Sequence, residues 1–165
     1  MEVRLARLED AEATRLIYNA EVTGSTVTFD LEPRTLDDQR AWIARHQGPH
    51  PAVVAVADGA VAGFGSLSPF RERPAYATTV EDSVYVGADW RGRGVGRALL
   101  DELVARSEAA GVWTLQAGVF PENEASMALH RSCGFRIVGV RERLGEVNGV
   151  WRDVVMLERR SGTVG

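Results

Sequence analysis

The chain has 165 residues, 45% of them hydrophobic and 25% charged, with a formal net charge of -4. This describes about one soluble domain, large enough for a core that hides roughly 68–70% of its unfolded surface, and no charge excess points to nucleic acid or an anionic membrane. All 19 basic residues are Arg, which excludes a Schiff-base lysine, a P-loop lysine and a kinase-type lysine.

In chain order, Val3 and Leu5 alternate with charged residues and predict a short strand. Asp10 can cap a helix over about 10–22, with Ala13, Leu16, Ile17 and Ala20 on one face. The stretch 23–35 carries Gly24, Pro33 and several Thr and predicts an irregular loop. A second helix follows Thr35, anchored by Leu36, Trp42 and Ile43, and stops at 48–51. Two strands, 52–57 and 61–67, flank the Asp58-Gly59 turn signal. A charged loop over 69–74 leads to a long strand over 75–86, then to the glycine-rich RGRGVG. A helix over about 94–110 and a strand over 113–119 come next, then a shorter helix over 122–133. Two last strands, 135–140 and 150–157, are separated by a polar loop. Three successive strands imply antiparallel pairing, and the strand-helix-strand unit after them implies a parallel crossover. The expected fold is α/β (α+β), a mixed, mostly antiparallel sheet of six or seven strands with helices on both faces. A single domain would span 1–160, with 161–165 a frayed tail.

The first residues are charged from position 2 and do not read as a signal peptide. No apolar run reaches membrane-spanning length, so a cytoplasmic protein is expected. Cys133 is the only cysteine and His46, His50 and His130 lack ligand spacing, so no disulfide, cysteine zinc cage or other metal site is expected. Cys133 stands at a helix C-terminus, the wrong end to stabilise a thiolate, and reads as packing rather than a nucleophile.

The stretch 81–100, EDSVYVGADWRGRGVGRALL, is the richest in chemistry. A strand delivers the chain to a glycine loop that opens a helix, whose first N–H groups are unpaired and partly positive. Gly92, Gly94 and Gly96 let an anion approach, Arg91, Arg93 and Arg97 add charge, and a pyrophosphate suits such a nest. No lysine follows the glycines, so this is not a Walker loop. No acid ends the next strand, so it is not a Rossmann fingerprint. A glycine-rich helix entry without a ligand is the alternative.

RGRGVG resembles the pyrophosphate-binding loop of the GCN5-related N-acetyltransferases, and PENEASMALHRSCGF resembles a second segment of that family. STVTFD (25–30), EPRTLDD (32–38), VEDSVYV (80–86), ALHRSCGF (128–135) and GVWRDVVML (149–157) resemble its phosphinothricin and methionine sulfoximine/sulfone acetyltransferase branch. The resemblance covers nearly the whole chain. It implies acetyl-CoA as cosubstrate and a small acceptor amine as partner, with direct transfer and a homodimer.

By that resemblance the backbone of Val84, Tyr85 and Val86 pairs with the pantetheine arm. Arg91, Gly92, Arg93, Gly94, Val95 and Gly96 hold the pyrophosphate, and Asn123 and Ser126 complete the cofactor contacts. Asn123 also suits the cap of the short helix, and the two roles are compatible. Glu81 is implied as the base that deprotonates the amine, or else it pairs with an Arg. His130 stands where many members carry a tyrosine acid, and it serves either as an acid or as structure. Arg71 and Arg73 of the FRERP loop would grip an acceptor carboxylate, or else belong to a solvated charged loop. Phe29 would wall the substrate pocket or else pack in the core, and Ser83 completes the substrate contacts. Another acceptor (a polyamine, an aminoglycoside or a protein N-terminus) and a non-catalytic acyl-CoA-binding module are the competing readings.

Overall fold

The structure, a computed structural model, describes residues 1–24 and 28–165; residues 25–27 of the STVTFD motif lie outside it. Four strands build the first half of the sheet: β1 (Glu2–Leu5), β2 (Ala52–Ala57), β3 (Ala60–Pro69) and β4 (Thr79–Val86), each antiparallel to the next. Asp58 and Gly59 turn β2 into β3 with φ of 50° and 77°, the left-handed pair that a tight hairpin requires. β5 (Thr114–Val119), β6 (Arg136–Val147) and β7 (Val150–Arg160) complete the order β1-β2-β3-β4-β5-β7-β6. This is the mixed sheet expected, with seven strands.

Helices α1 (Ala11–Gly24) and α2 (Leu36–Arg45) cover one face, and α3 (Val95–Ala109) and α4 (Glu124–Ser132) the other. Leu99, Leu100 and Leu103 of α3 are fully buried against Val53, Leu67, Val80, Leu115 and Leu157. Each such side chain stabilises the fold by roughly 1.5–3 kcal/mol. On the opposite face Tyr18, Phe64 and Tyr85 form the smaller cluster, with Trp42 against it.

Sheet pairing creates the feature that matters for function. β4 and β5 are parallel, and their register runs only over Thr79–Glu81 against Thr114–Gln116. Beyond that point β4 pairs with β3 alone and β5 with β7 alone. The two central strands therefore fork, each keeping one unpaired edge.

Four sequence expectations are corrected. In α1 the buried residues are Ala11, Thr14, Tyr18 and Glu21, while Leu16 is exposed. Thr14 tolerates burial because Gln39 of α2 donates to its hydroxyl (3.0 Å). Asp10 sits in a 3-10 turn before α1, accepting from the Arg7 N–H (2.8 Å) and pairing with Arg4. The strand expected from residue 75 starts at Thr79, because Pro74 opens a 3-10 turn over Pro74–Tyr76. The polar loop expected after residue 140 is the continuation of β6. Asn148 and Gly149, with φ of 50° and 78°, turn that strand directly into β7. Beyond β7, Ser161 is buried. Its N–H donates to the Trp113 carbonyl (2.8 Å), and its hydroxyl accepts from the N–H groups of Thr163 and Val164 (both 3.0 Å). No helix among the described residues is long and apolar enough to cross a membrane.

Candidate active site

A cavity of about 510 Å³ lies along the fork on the α3 side. The unpaired edge of β4 from Asp82 to Val86 forms one wall, Ala117, Gly118 and Val119 of β5 another, and Asn123, Ser126 and His130 around α4 a third. Its floor is the entry to α3. Gly94 caps that helix with φ of 80° and no capping side chain, so the first-turn N–H groups face outward as donors. Gly92 shares the left-handed conformation (φ 73°), which a residue with a side chain adopts only at a cost. Val84, Tyr85, Val86, Arg91, Gly92, Gly94, Val95, Gly96, Asn123 and Ser126 all border this space, as does Arg97; Arg93 does not. The Arg91 guanidinium is paired with Glu21 of α1, and that of Arg93 lies over the Trp90 ring at 5.2 Å. Asn123 caps α4, its Oδ1 accepting from the Ser126 N–H at 3.1 Å, while still facing the cavity.

A second cavity of about 430 Å³ opens where the strands part. Gly118 lines both spaces, so they meet at the fork. Glu81, the last residue of β4 paired with β5, stands there, and Gln116 Nε2 donates to its Oε2 at 3.2 Å. Its carboxyl is pushed above the ordinary glutamate range by burial in the concave wall, with the charge of Asp82 adding to the rise and the Gln116 bond opposing it. The residue still meets solvent through the open cavity. Phe29, Phe70 and Phe120 form the aromatic wall. Phe29 packs edge-on against Phe120 at 4.8 Å and abuts Gly145, where any Cβ would fall 2.7 Å from the ring. Arg71 and Arg141 border the same space. Among the described residues neither guanidinium has a carboxylate partner; Arg71 lies over Phe70.

Of the residues read from sequence for the acceptor, the structure brings Phe29, Arg71 and Glu81 together. Arg73 is exposed and outside this cavity, and Ser83 faces the first one. Arg141, Gln116, Phe120 and Gly118 were not singled out. Arg141 lay in what read as a polar loop region, and only the long β6 brings it to the site. His130 is buried, with both ring nitrogens engaged: Nδ1 is 2.8 Å from the Ser126 carbonyl and Nε2 2.8 Å from Asp82 Oδ1. Cys133 is buried, its thiol held above the ordinary range chiefly by burial, so it is the packing residue expected. No group of three or more His, Cys, Asp or Glu among the described residues could hold a metal ion.

A forked sheet with a glycine-entered helix on one side and a carboxylate at the fork offers an anion nest and a proton acceptor in one site. Residues 14–135 match the model of the acetyltransferase (GNAT) family. The chain belongs to that family and is an N-acetyltransferase. It is 37% identical over 163 residues to a phosphinothricin N-acetyltransferase of Streptomyces coelicolor, covering 96% of this chain and 95% of that one. A methionine sulfoximine/methionine sulfone acetyltransferase of Pseudomonas paraeruginosa is 35% identical over 158 residues, covering 94% and 92%. Among solved structures, a phosphinothricin acetyltransferase of Sinorhizobium meliloti in complex with acetyl-CoA superposes with a TM-score of 0.93 at 34% identity, over 99% of this chain and 89% of that one.

Proposed function

We propose that the chain transfers the acetyl group of acetyl-CoA to the α-amine of a small amino-acid-like acceptor, of the phosphinothricin, methionine sulfoximine or methionine sulfone kind. The observation that carries this reading is the fork: two cavities, one against the glycine nest and one against Glu81, meet at Gly118. The residues present fit the cosubstrate. The N–H groups at the start of α3 suit a pyrophosphate, and the free edge of β4 suits a pantetheine arm laid alongside as an added strand. Bound there, acetyl-CoA supplies the activated acyl group. Glu81 accepts the proton that the amine releases, directly or through one water, and its raised proton affinity brings it nearer to neutral pH, where a general base works best. His130 faces the opposite side of the fork as the acid. Arg71 and Arg141 offer two guanidiniums to the acceptor's carboxylate and to a second anionic or dipolar group. The same two charges disfavour a polyamine or an aminoglycoside.

The test is an acceptor panel with thiol release as readout, comparing phosphinothricin, methionine sulfone, spermidine and a peptide amine. Release with the first two is expected. Release with spermidine or the peptide alone would replace the acceptor, and acetyl-CoA binding without release on any amine would make the chain a binding module. The working unit of the proposal is a homodimer. β6 is an outer strand of the sheet and exposes Ile137, Val138 and Val140, and an open apolar edge of that kind pairs with another chain. Sedimentation equilibrium should then give about twice 18.0 kDa.

A further inference from the structure

Asp82 and His130 lie 48 residues apart and meet on the wall of the cofactor cavity, with side chains only 1% and 4% exposed. A carbonyl oxygen only accepts, so the 2.8 Å contact with Ser126 O places a hydrogen on His130 Nδ1. An ionised carboxylate also only accepts, so the 2.8 Å contact with Asp82 requires a second proton, on Nε2 or on Oδ1. The pair therefore holds one proton between Nε2 and Oδ1 in addition to the one on Nδ1. The surroundings contain little else that bears on it. Ser126 Oγ is 3.3 Å from Nδ1 on α4, the Phe135 ring stands edge-on at 4.9 Å, and Glu81 beside Asp82 points to the other face of the sheet. Among the described residues no group hydrogen-bonds the buried Asp82 Oδ2.

We propose that Asp82 is a positioning residue for thioester cleavage, holding His130 by Nε2 so that the proton they share goes to the sulfur that leaves as coenzyme A. This rests on the acetyl-transfer reading above. The amine nitrogen forms the C–N bond and the C–S bond breaks. Glu81 takes the amine proton, and the pair gives its proton to the thiolate. The proton lost leaves His130 neutral with its hydrogen on Nδ1 and Asp82 as a buried, uncompensated carboxylate. A buried carboxylate beside a neutral imidazole is costly, so a solvent proton returns to His130 Nε2 and resets the pair. Burial alone would strip the proton from His130; Asp82 reverses that tendency, and the histidine is held above its ordinary range.

The decisive variant is Asp82→Asn, which can still bond Nε2 through its amide N–H but carries no charge to retain the proton. On the full chain without ligand, nitrogen NMR should show His130 losing its proton at lower pH in Asp82→Asn than in the wild type. With acetyl-CoA and the best acceptor, kcat at pH 7.5 should fall about 10- to 100-fold, up to the lower end of what a general acid contributes, because His130 itself remains. The acetyl-CoA KM should stay within about twofold, and the alkaline limb of the pH profile should move down. Asp82→Glu restores the carboxylate and should recover His130 protonation and part of the rate, which covers a folding defect in the first variant. Unchanged kcat and an unmoved alkaline limb in Asp82→Asn overturn the role of Asp82 alone. A wild type that releases no coenzyme A with any amine overturns this inference together with the acetyl-transfer reading.

Discussion

The two cavities that meet at Gly118 are made of different materials. The cavity proposed for the cofactor is mostly main chain: an unpaired strand edge, a helix entry and glycines with left-handed φ. The cavity proposed for the acceptor is mostly side chain: Phe29 between α1 and α2, Arg71 between β3 and β4, Arg141 on β6, and Met156 on β7. Backbone donors recognise what any anion shares, a charge and a set of acceptors. Side chains from separate segments recognise one particular acceptor. The first kind of site survives surface substitution and fails when the backbone is strained, whereas the second fails one residue at a time.

The sharpest way to test this division is at the fork itself. Glu81→Gln should lower kcat by about 100-fold or more, within the span of general base catalysis, while calorimetry finds acetyl-CoA binding unchanged. Equal loss of both would make Glu81 a structural residue of both cavities. Because its carboxyl is held above the ordinary range, the base is lost as pH falls through that raised value. The acid limb of kcat/KM should therefore lie above pH 4.5, and Glu81→Gln should abolish it. Gly94→Val forces a β-branched residue into φ of 80°, a cost of about 1–2 kcal/mol. It should weaken acetyl-CoA binding about tenfold and leave the acceptor KM unmoved; the reverse pattern would break the comparison.

Single changes on the acceptor side should be smaller and selective. Arg71→Ala and Arg141→Ala should each raise the acceptor KM by about 3- to 10-fold. That is less than a buried hydrogen bond to a charged group contributes, about 1.5–3 kcal/mol, since both side chains reach solvent. Acetyl-CoA affinity should not change. Arg73→Ala should shift neither constant by more than about twofold, because that side chain lies outside the cavity. A tenfold rise in acceptor KM there would mean that the charged loop closes over the acceptor.

The residues that were misread share a cause. Thr14 and Glu21 look like solvent-facing positions of α1, yet both are buried, one against Gln39 and the other paired with Arg91. A hydrophobic stripe cannot register a polar residue whose partner lies 25 or 70 residues away. Charged residues 141–143 read as a loop because edge strands need no apolar alternation, and the Asn148-Gly149 turn was the better signal. Asp82 drew no attention beside Glu81. Only the packing of α4 against β4 supplies its histidine.

By itself the sequence determined what depends on neighbours along the chain: the order of strands and helices, the Asp58-Gly59 turn, the glycine entry to α3, and the caps of α2 and α4 at Thr35 and Asn123. Each of these rests on local backbone conformation or on a bond spanning a few residues. The tertiary structure alone decided where the sheet forks, which arginines reach the second cavity, and that Asp82 meets His130. Those outcomes depend on contacts between distant segments, and their free energy exists only once the sheet and its covering helices have assembled.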